Sequence, residues 1–170
     1  MDTRKDTCCV TGSRPQKLPF GFDEAHPDCA ALKKRLREEL EKSIKSGYAH
    51  FLSGCALGVD QWALELLLDL KKCYPHIKIE AVIPCENQDL KWNLAKKERY
   101  RSLLVRCDIK TMLQSAYSPD CMRKRNQYMV DRSALVIAVW NMQSGGTKQT
   151  VAYAKKSGKA VVLIPAGAMA

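Results

Sequence analysis

The sequence predicts a doubly wound α/β fold, a mostly parallel sheet flanked by helices. It reads as one domain spanning residues 1–170 with its core at about 8–165. Three observations carry that expectation. Short apolar runs alternate with longer segments of helical periodicity along the whole chain, the pattern of right-handed crossovers and a sheet covered on both faces. Two glycine-rich turns, at 53–60 and 144–147, each follow a strand-like run and open a helical one. No Pro/Gly/Ser-rich linker divides the 170 residues, a length that suits one full-sized core.

The elements follow in order. A first strand is read at 8–11. Cys29, Leu32, Leu36, Leu40 and Ile44 then recur at helical spacing, and Gly47 lies where a C-cap would end that helix. The strand at 50–53 is weak alone and is read chiefly from the glycine turn behind it. Val59, Trp62, Ala63, Leu66, Leu67, Leu70 and Cys73 form the i, i+3, i+4, i+7 stripe of a helix with one buried face. A strand at 77–84 precedes a third helix marked by Trp92, Tyr100, Leu103, Leu104 and Cys107, very basic on its outer side. A strand at 109–113 leads to a shorter helix over 122–132. A strand at 135–140 leads to a helix over 147–157 closed by Gly158, and 160–165 ends the series.

Composition excludes several classes. Apolar residues make up 46% and charged residues 27%, an ordinary globular balance. No apolar run approaches the roughly 18 residues a membrane span needs. The N-terminus lacks the zones of a secretory signal, so the expected location is the cytoplasm. Cys8, Cys9, Cys29, Cys55, Cys73, Cys85, Cys107 and Cys121 include no C-x-x-C and no zinc spacing. They read as reduced, mostly buried thiols, and no metal is expected. Cys55, near a helix N-terminus, would have a lowered pKa; with no base predicted nearby it reads as packing.

The net charge of +10 is uneven: residues 1–90 hold 13 basic and 14 acidic side chains, residues 91–170 hold 15 and 4. Two readings stay open, a polyanionic partner or phosphate-rich ligand and a solvated basic face.

Ligands in such sheets bind outside the carboxyl ends of the strands, and five segments are expected there. After the first strand, Gly12 permits a tight turn and Arg14 offers a planar fork to phosphate or carboxylate. In the 53–60 turn, Gly54 and Gly58 let a phosphate approach the backbone, and Ser53 offers a hydroxyl. Asp60 either complements the helix dipole or bonds a ribose hydroxyl. Glu86, Asn87 and Gln88 supply polar groups for ribose or a base edge, and Trp92 either stacks on a base or packs in the core. Arg125 and Asn126 either point into the site or belong to a solvated basic run. Gly145 and Gly146 give backbone amides, and Thr147 is expected to cap its helix while offering a hydroxyl to phosphate. Neither a G-x-G-x-x-G fingerprint nor a Walker loop is present. His26, His50 and His76 are not placed like catalytic bases.

Taken in order, these motifs resemble the YpsA-like family of the SLOG superfamily. They are Thr-Gly-x-Arg-Pro with Lys17 to Gly21 behind it, Ser-Gly-x-Ala-Leu-Gly-Val-Asp, Glu-Asn-Gln with a following Trp, Arg-Asn-x-x-Met-Val-Asp and Gly-Gly-Thr. The resemblance covers about 8–165. It implies a Rossmann-like fold in a bacterial-type domain and a site for a nucleotide or nucleotide-derived ligand such as NAD, ADP-ribose or another adenine nucleotide. It implies no settled activity, and homodimers are common among the relatives. Two related groups supply alternatives. LOG-type phosphoribohydrolases cleave nucleoside 5′-monophosphates with an arginine and a glutamate. Here the glutamate's position is Thr150, which argues against that chemistry unless Glu86 or Asp60 substitutes. DprA-like proteins share the Ser-Gly-x-Ala-x-Gly-x-Asp turn and bind single-stranded DNA, which the basic 91–170 half fits. Most aromatic residues lie in apolar patterns, so no stacking platform is evident in the sequence.

Overall fold

A computed structural model describes residues 3–166. Six strands form one parallel sheet in the order β4-β3-β2-β1-β5-β6. They are β1 (Thr7–Gly12), β2 (His50–Ser53), β3 (Lys78–Ile83), β4 (Ile109–Met112), β5 (Leu135–Trp140) and β6 (Ala160–Pro165). The helices between them are α1 (Pro27–Lys45), α2 (Val59–Leu70), α3 (Leu94–Arg106), α4 (Cys121–Asp131) and α5 (Gly146–Lys156). Every expected strand and helix is present, and the deviations are at the ends. Gly12 is the last residue of β1, paired with Val139, rather than a turn residue beyond it. The stripe read through Cys73 stops helically at Leu70, and α3 begins after Trp92, with Asn93 accepting the Lys96 N–H at 2.9 Å as its cap.

Alternation along the strands divides the core. Cys8, Val10, Phe51, Ile79, Ile137 and Val139 face α1, α2 and α3, whose Leu36, Leu40, Leu64, Leu67 and Leu103 are almost wholly buried. Cys9, Leu52, Val82 and Val136 face the other way, onto Met129 and Val130 of α4 and Ala154 of α5. Successive helices therefore lie on one face up to β4 and on the other after it. The chain runs outward from β1 through β2, β3 and β4, then returns to lay β5 on the opposite side of β1. Between β1 and β5 the connections leave in opposite directions, which opens a crevice above their carboxyl ends.

Seven of the eight cysteines are buried and Cys73 is exposed, all as free thiols. Burial pushes the Cys55 thiol well above its ordinary value, so the packing reading holds at that position. His26 caps α1, its Nδ1 accepting the Asp28 N–H at 3.1 Å, and α1 closes at Gly47 as expected. His50 stands at the amino edge, its Nε2 2.9 Å from Glu80 Oε2. No helix is long and apolar enough to cross a membrane.

The segment entering α1 is tied down by charge. Glu24 accepts from Arg99 of α3 at 2.6 and 2.9 Å and from Lys33 of α1 at 2.7 Å, while Arg99 also binds Glu65 of α2. The hydrogen bonds from Arg99 hold the Glu24 carboxyl at about 2, below its ordinary 4.5. A carboxyl lowered on folding stabilises the native state above its unfolded pKa, and that contribution fades as pH falls through the folded one. Urea unfolding should therefore show the wild type losing more stability than Glu24→Gln between about pH 5 and about pH 2, with the two curves running parallel above pH 5.

Candidate functional site

The crevice between β1 and β5 holds a cavity of about 210 Å³. Its walls are two loops stitched together by backbone-directed bonds. Ser13 N–H extends the β1–β5 ladder to Val139 O at 2.9 Å. Asn141 Nδ2 donates to Lys17 O at 2.8 Å, Trp140 Nε1 to Gln143 O at 2.8 Å, and Lys17 Nζ to Ser144 O at 2.8 Å. The floor is the start of α5. Its N-cap is Gly145, and no side chain caps the helix. Gln149 is the first residue whose N–H turns back, to Gly145 O, so the amides before it have no partner within the helix, and Gly146 and Thr147 line the crevice at the positive end of the helix dipole. The expectation for Thr147 needs correction: it is the second helical residue, lining the cavity, and does not cap.

Three cations surround this helix end. Lys17 comes from the loop after β1. Arg14 is half-buried on the same loop, and its hydrogen bond among the described residues goes to Met122 Sδ at 3.8 Å, a weak acceptor. Arg125, on α4, is 3% exposed. Its Nη1 donates to Gly54 O at 2.7 Å and its Nε to Asn126 Oδ1 at 2.9 Å. Against them stands one cavity-lining carboxylate, Asp60, which accepts the Ala56 N–H at 3.3 Å. Burial pushes the Asp60 carboxyl above its ordinary range, with Arg125 and Arg14 pulling the other way. Burial likewise presses the Arg125 guanidinium down, though it stays charged. The balance is a cationic cavity over an uncapped helix start, a setting that favours an anion.

Of the residues expected here, Gly12, Arg14, Asp60, Arg125, Asn126, Gly145, Gly146 and Thr147 line the cavity. The rest of the 53–60 turn lies behind it. Ser53 Oγ donates to Asp60 O at 2.8 Å, Gly58 caps α2 beside Pro15, and Gly54 carries the Arg125 bond. Gly54 is glycine for a reason other than phosphate approach: a Cβ there would occupy the Arg125 guanidinium. Gly12 likewise admits the Val59 side chain at the start of α2.

Glu86 and Gln88 are not brought to the cavity. Glu86 is exposed beyond β3, and Gln88 Nε2 donates to Tyr100 OH at 3.3 Å. Thr150 Oγ1 bonds Gly146 O at 2.8 Å within α5. Lys17, Asn141 and Gln143 also line the cavity, and the polar run directly after β5 is the sequence signal for the last two. Among the described residues, no three His, Cys, Asp or Glu side chains gather in a metal-holding group.

A parallel sheet with its crevice at the switch point defines an α/β domain of the Rossmann-like class. Within that class the chain belongs to the YpsA family: the family model, described as the YspA SLOG family, matches residues 8–163. A UPF0398 protein of Brevibacillus brevis is 29% identical over 140 residues, covering 81% of this chain and 74% of the relative. A UPF0398 protein of Bacillus thuringiensis is 29% identical over 153 residues, covering 88% and 83%. Among solved structures, DNA processing protein A of Helicobacter pylori, a single-stranded-DNA-binding protein, superposes with a TM-score of 0.63 at 21% identity. Its counterpart from Streptococcus pneumoniae gives 0.64 at 21%. This chain spans only 66% and 52% of those two chains, and the likeness is one of fold.

Gly54→Ala and Gly146→Ala separate the two kinds of glycine. Nothing lies within 4 Å of a Cβ built at Gly146, whereas Gly54→Ala must expel a buried guanidinium. Urea unfolding should show Gly54→Ala destabilised by about 1–3 kcal/mol, and Gly146→Ala within about 0.5 kcal/mol of wild type.

Proposed function

We propose that the cavity binds a nucleotide or nucleotide-derived ligand, of the class of NAD, ADP-ribose or another adenine nucleotide, through its phosphate, and that the domain serves as a sensor. The observation that carries this reading is the uncapped start of α5 facing Arg14, Lys17 and Arg125 at the switch point. Arg14 is the phosphate fork, with donors left over after its bond to a methionine sulfur. Binding without turnover is favoured because the cavity offers one carboxylate, Asp60, already engaged by the Ala56 amide, and Thr150 stands where LOG-type enzymes carry glutamate.

A second reading, single-stranded nucleic acid bound across the same edge, is favoured by one observation. The Helicobacter pylori neighbour of like fold binds single-stranded DNA, and the 91–170 half of this chain is strongly basic. A homodimer, which rests on the family resemblance, and a cytoplasmic location, which rests on the sequence expectation, are part of the proposal.

A thermal-shift panel of phosphate, adenine nucleotides, NAD and ADP-ribose tests the first reading. A ligand at about a hundred times its Kd should raise Tm by about 5–10 °C, and Arg14→Ala should weaken that ligand at least about tenfold with little change in unliganded Tm. A flat panel, together with oligonucleotide binding that falls steeply with salt, selects the second reading instead.

A further inference from the structure

The cavity of about 210 Å³ is smaller than the roughly 300–1,000 Å³ in which proteins enclose whole small ligands. It suits a phosphate and a sugar, and a base needs space elsewhere. Arg14 supplies the direction, because the same side chain also borders a neighbouring groove of about 410 Å³. That groove is walled by Phe22, Leu57, Lys91, Trp92 and Lys96, and its lining contains no carboxylate. Its charge thus has the same sign as the cavity it adjoins.

The groove also supplies an aromatic surface. Phe22 is 49% exposed, with Lys96 Nζ 4.1 Å from its ring centroid. Trp92 is fixed edge-on against Tyr100 at 5.2 Å, so one side of the groove is rigid. Phe22 is thus an exception to the expectation that most aromatic residues lie in apolar patterns. A half-exposed ring with an ammonium over one face accepts a flat heterocycle on the other, while the cations answer its phosphates.

Resting on the reading that the first cavity takes a phosphate, we propose that the two spaces form one site for a nucleoside-diphosphate conjugate. The diphosphate lies between the start of α5 and Arg14, and the base end lies in the Phe22–Trp92 groove.

Calorimetric titration of ribose 5-phosphate and ADP-ribose into wild type and Phe22→Ala tests this, with a short oligothymidylate as a third probe. Wild type should bind ADP-ribose at least about tenfold more tightly than ribose 5-phosphate, the increment expected of one stacked base. Phe22→Ala should lose that increment while binding ribose 5-phosphate as wild type does. Equal affinities in wild type, or an increment that survives Phe22→Ala, would overturn the two-space site and leave the phosphate reading intact. No binding of either sugar phosphate would overturn both. Phe22-dependent binding of the oligothymidylate without binding of ADP-ribose would assign the groove to a strand and overturn the proposal.

Discussion

A single buried guanidinium holds the carboxyl edge of this sheet together. Arg125 projects from α4, on one face, and its Nη1 bonds the carbonyl of Gly54, in the turn that leads to α2 on the other. A charge at 3% exposure is tolerated only where hydrogen bonds and an opposite charge replace the lost water. Gly54 O, Asn126 Oδ1 and the nearby Asp60 carboxylate provide that replacement. The rest follows from this seat. Gly54 lacks a side chain because the guanidinium stands where its Cβ would be, and Asp60 is fixed behind it by the Ala56 amide and the Ser53 hydroxyl. The 53–60 turn is thus a socket for an arginine, and the 144–147 turn is the one that opens onto the cavity.

Charge counted by halves gives a poor map of such a site. Arg14 and Lys17 lie in the half whose charges nearly cancel, and only Arg125 comes from the basic half. Part of the basic half is already engaged. Arg99 is held by Glu24 and Glu65, Arg123 and Lys124 lie near Asp120, and Arg132 sits over the Tyr128 ring at 3.6 Å. Local composition matters more than the total: one carboxylate among the cavity's charged groups, and none in the groove beside it.

The central strands were legible because β1, β3 and β5 are short apolar runs, largely buried and bounded by turn residues, whereas β2 needed the glycine turn behind it and the edge strand β4 is largely exposed. The site was legible only in part, for a reason of topology. The carboxyl-edge rule names the end of each strand that faces ligands, but gives no strand order. Glu86 and Gln88 do follow a carboxyl end, that of β3; but β3 lies two strands from β1, on the side away from β5. Their loop therefore misses the crevice. Lys17 was obscured for a different reason: its amine reaches a carbonyl 127 residues away, and nothing local in sequence encodes that contact. Threonine favours the cap position, yet Gly145 already provides the non-helical residue that starts α5, which leaves Thr147 inside the helix.

The two arginines at the edge divide the electrostatic work by how firmly each is held. Arg125 is desolvated with two hydrogen bonds to fixed oxygen atoms, and its charge serves chiefly to keep Asp60 and the two helical layers in register. Arg14 is half-buried, bonded only weakly to a sulfur, and belongs to both spaces at once. A guanidinium held by strong acceptors gains little from a new anion, because an equally good bond must first be broken. One held by a poor acceptor gains nearly the full strength of a charge-assisted bond. On the proposed reading, Arg14 and the amides of α5 would answer an anion at this edge, and the deeper Arg125 sets the frame that holds them.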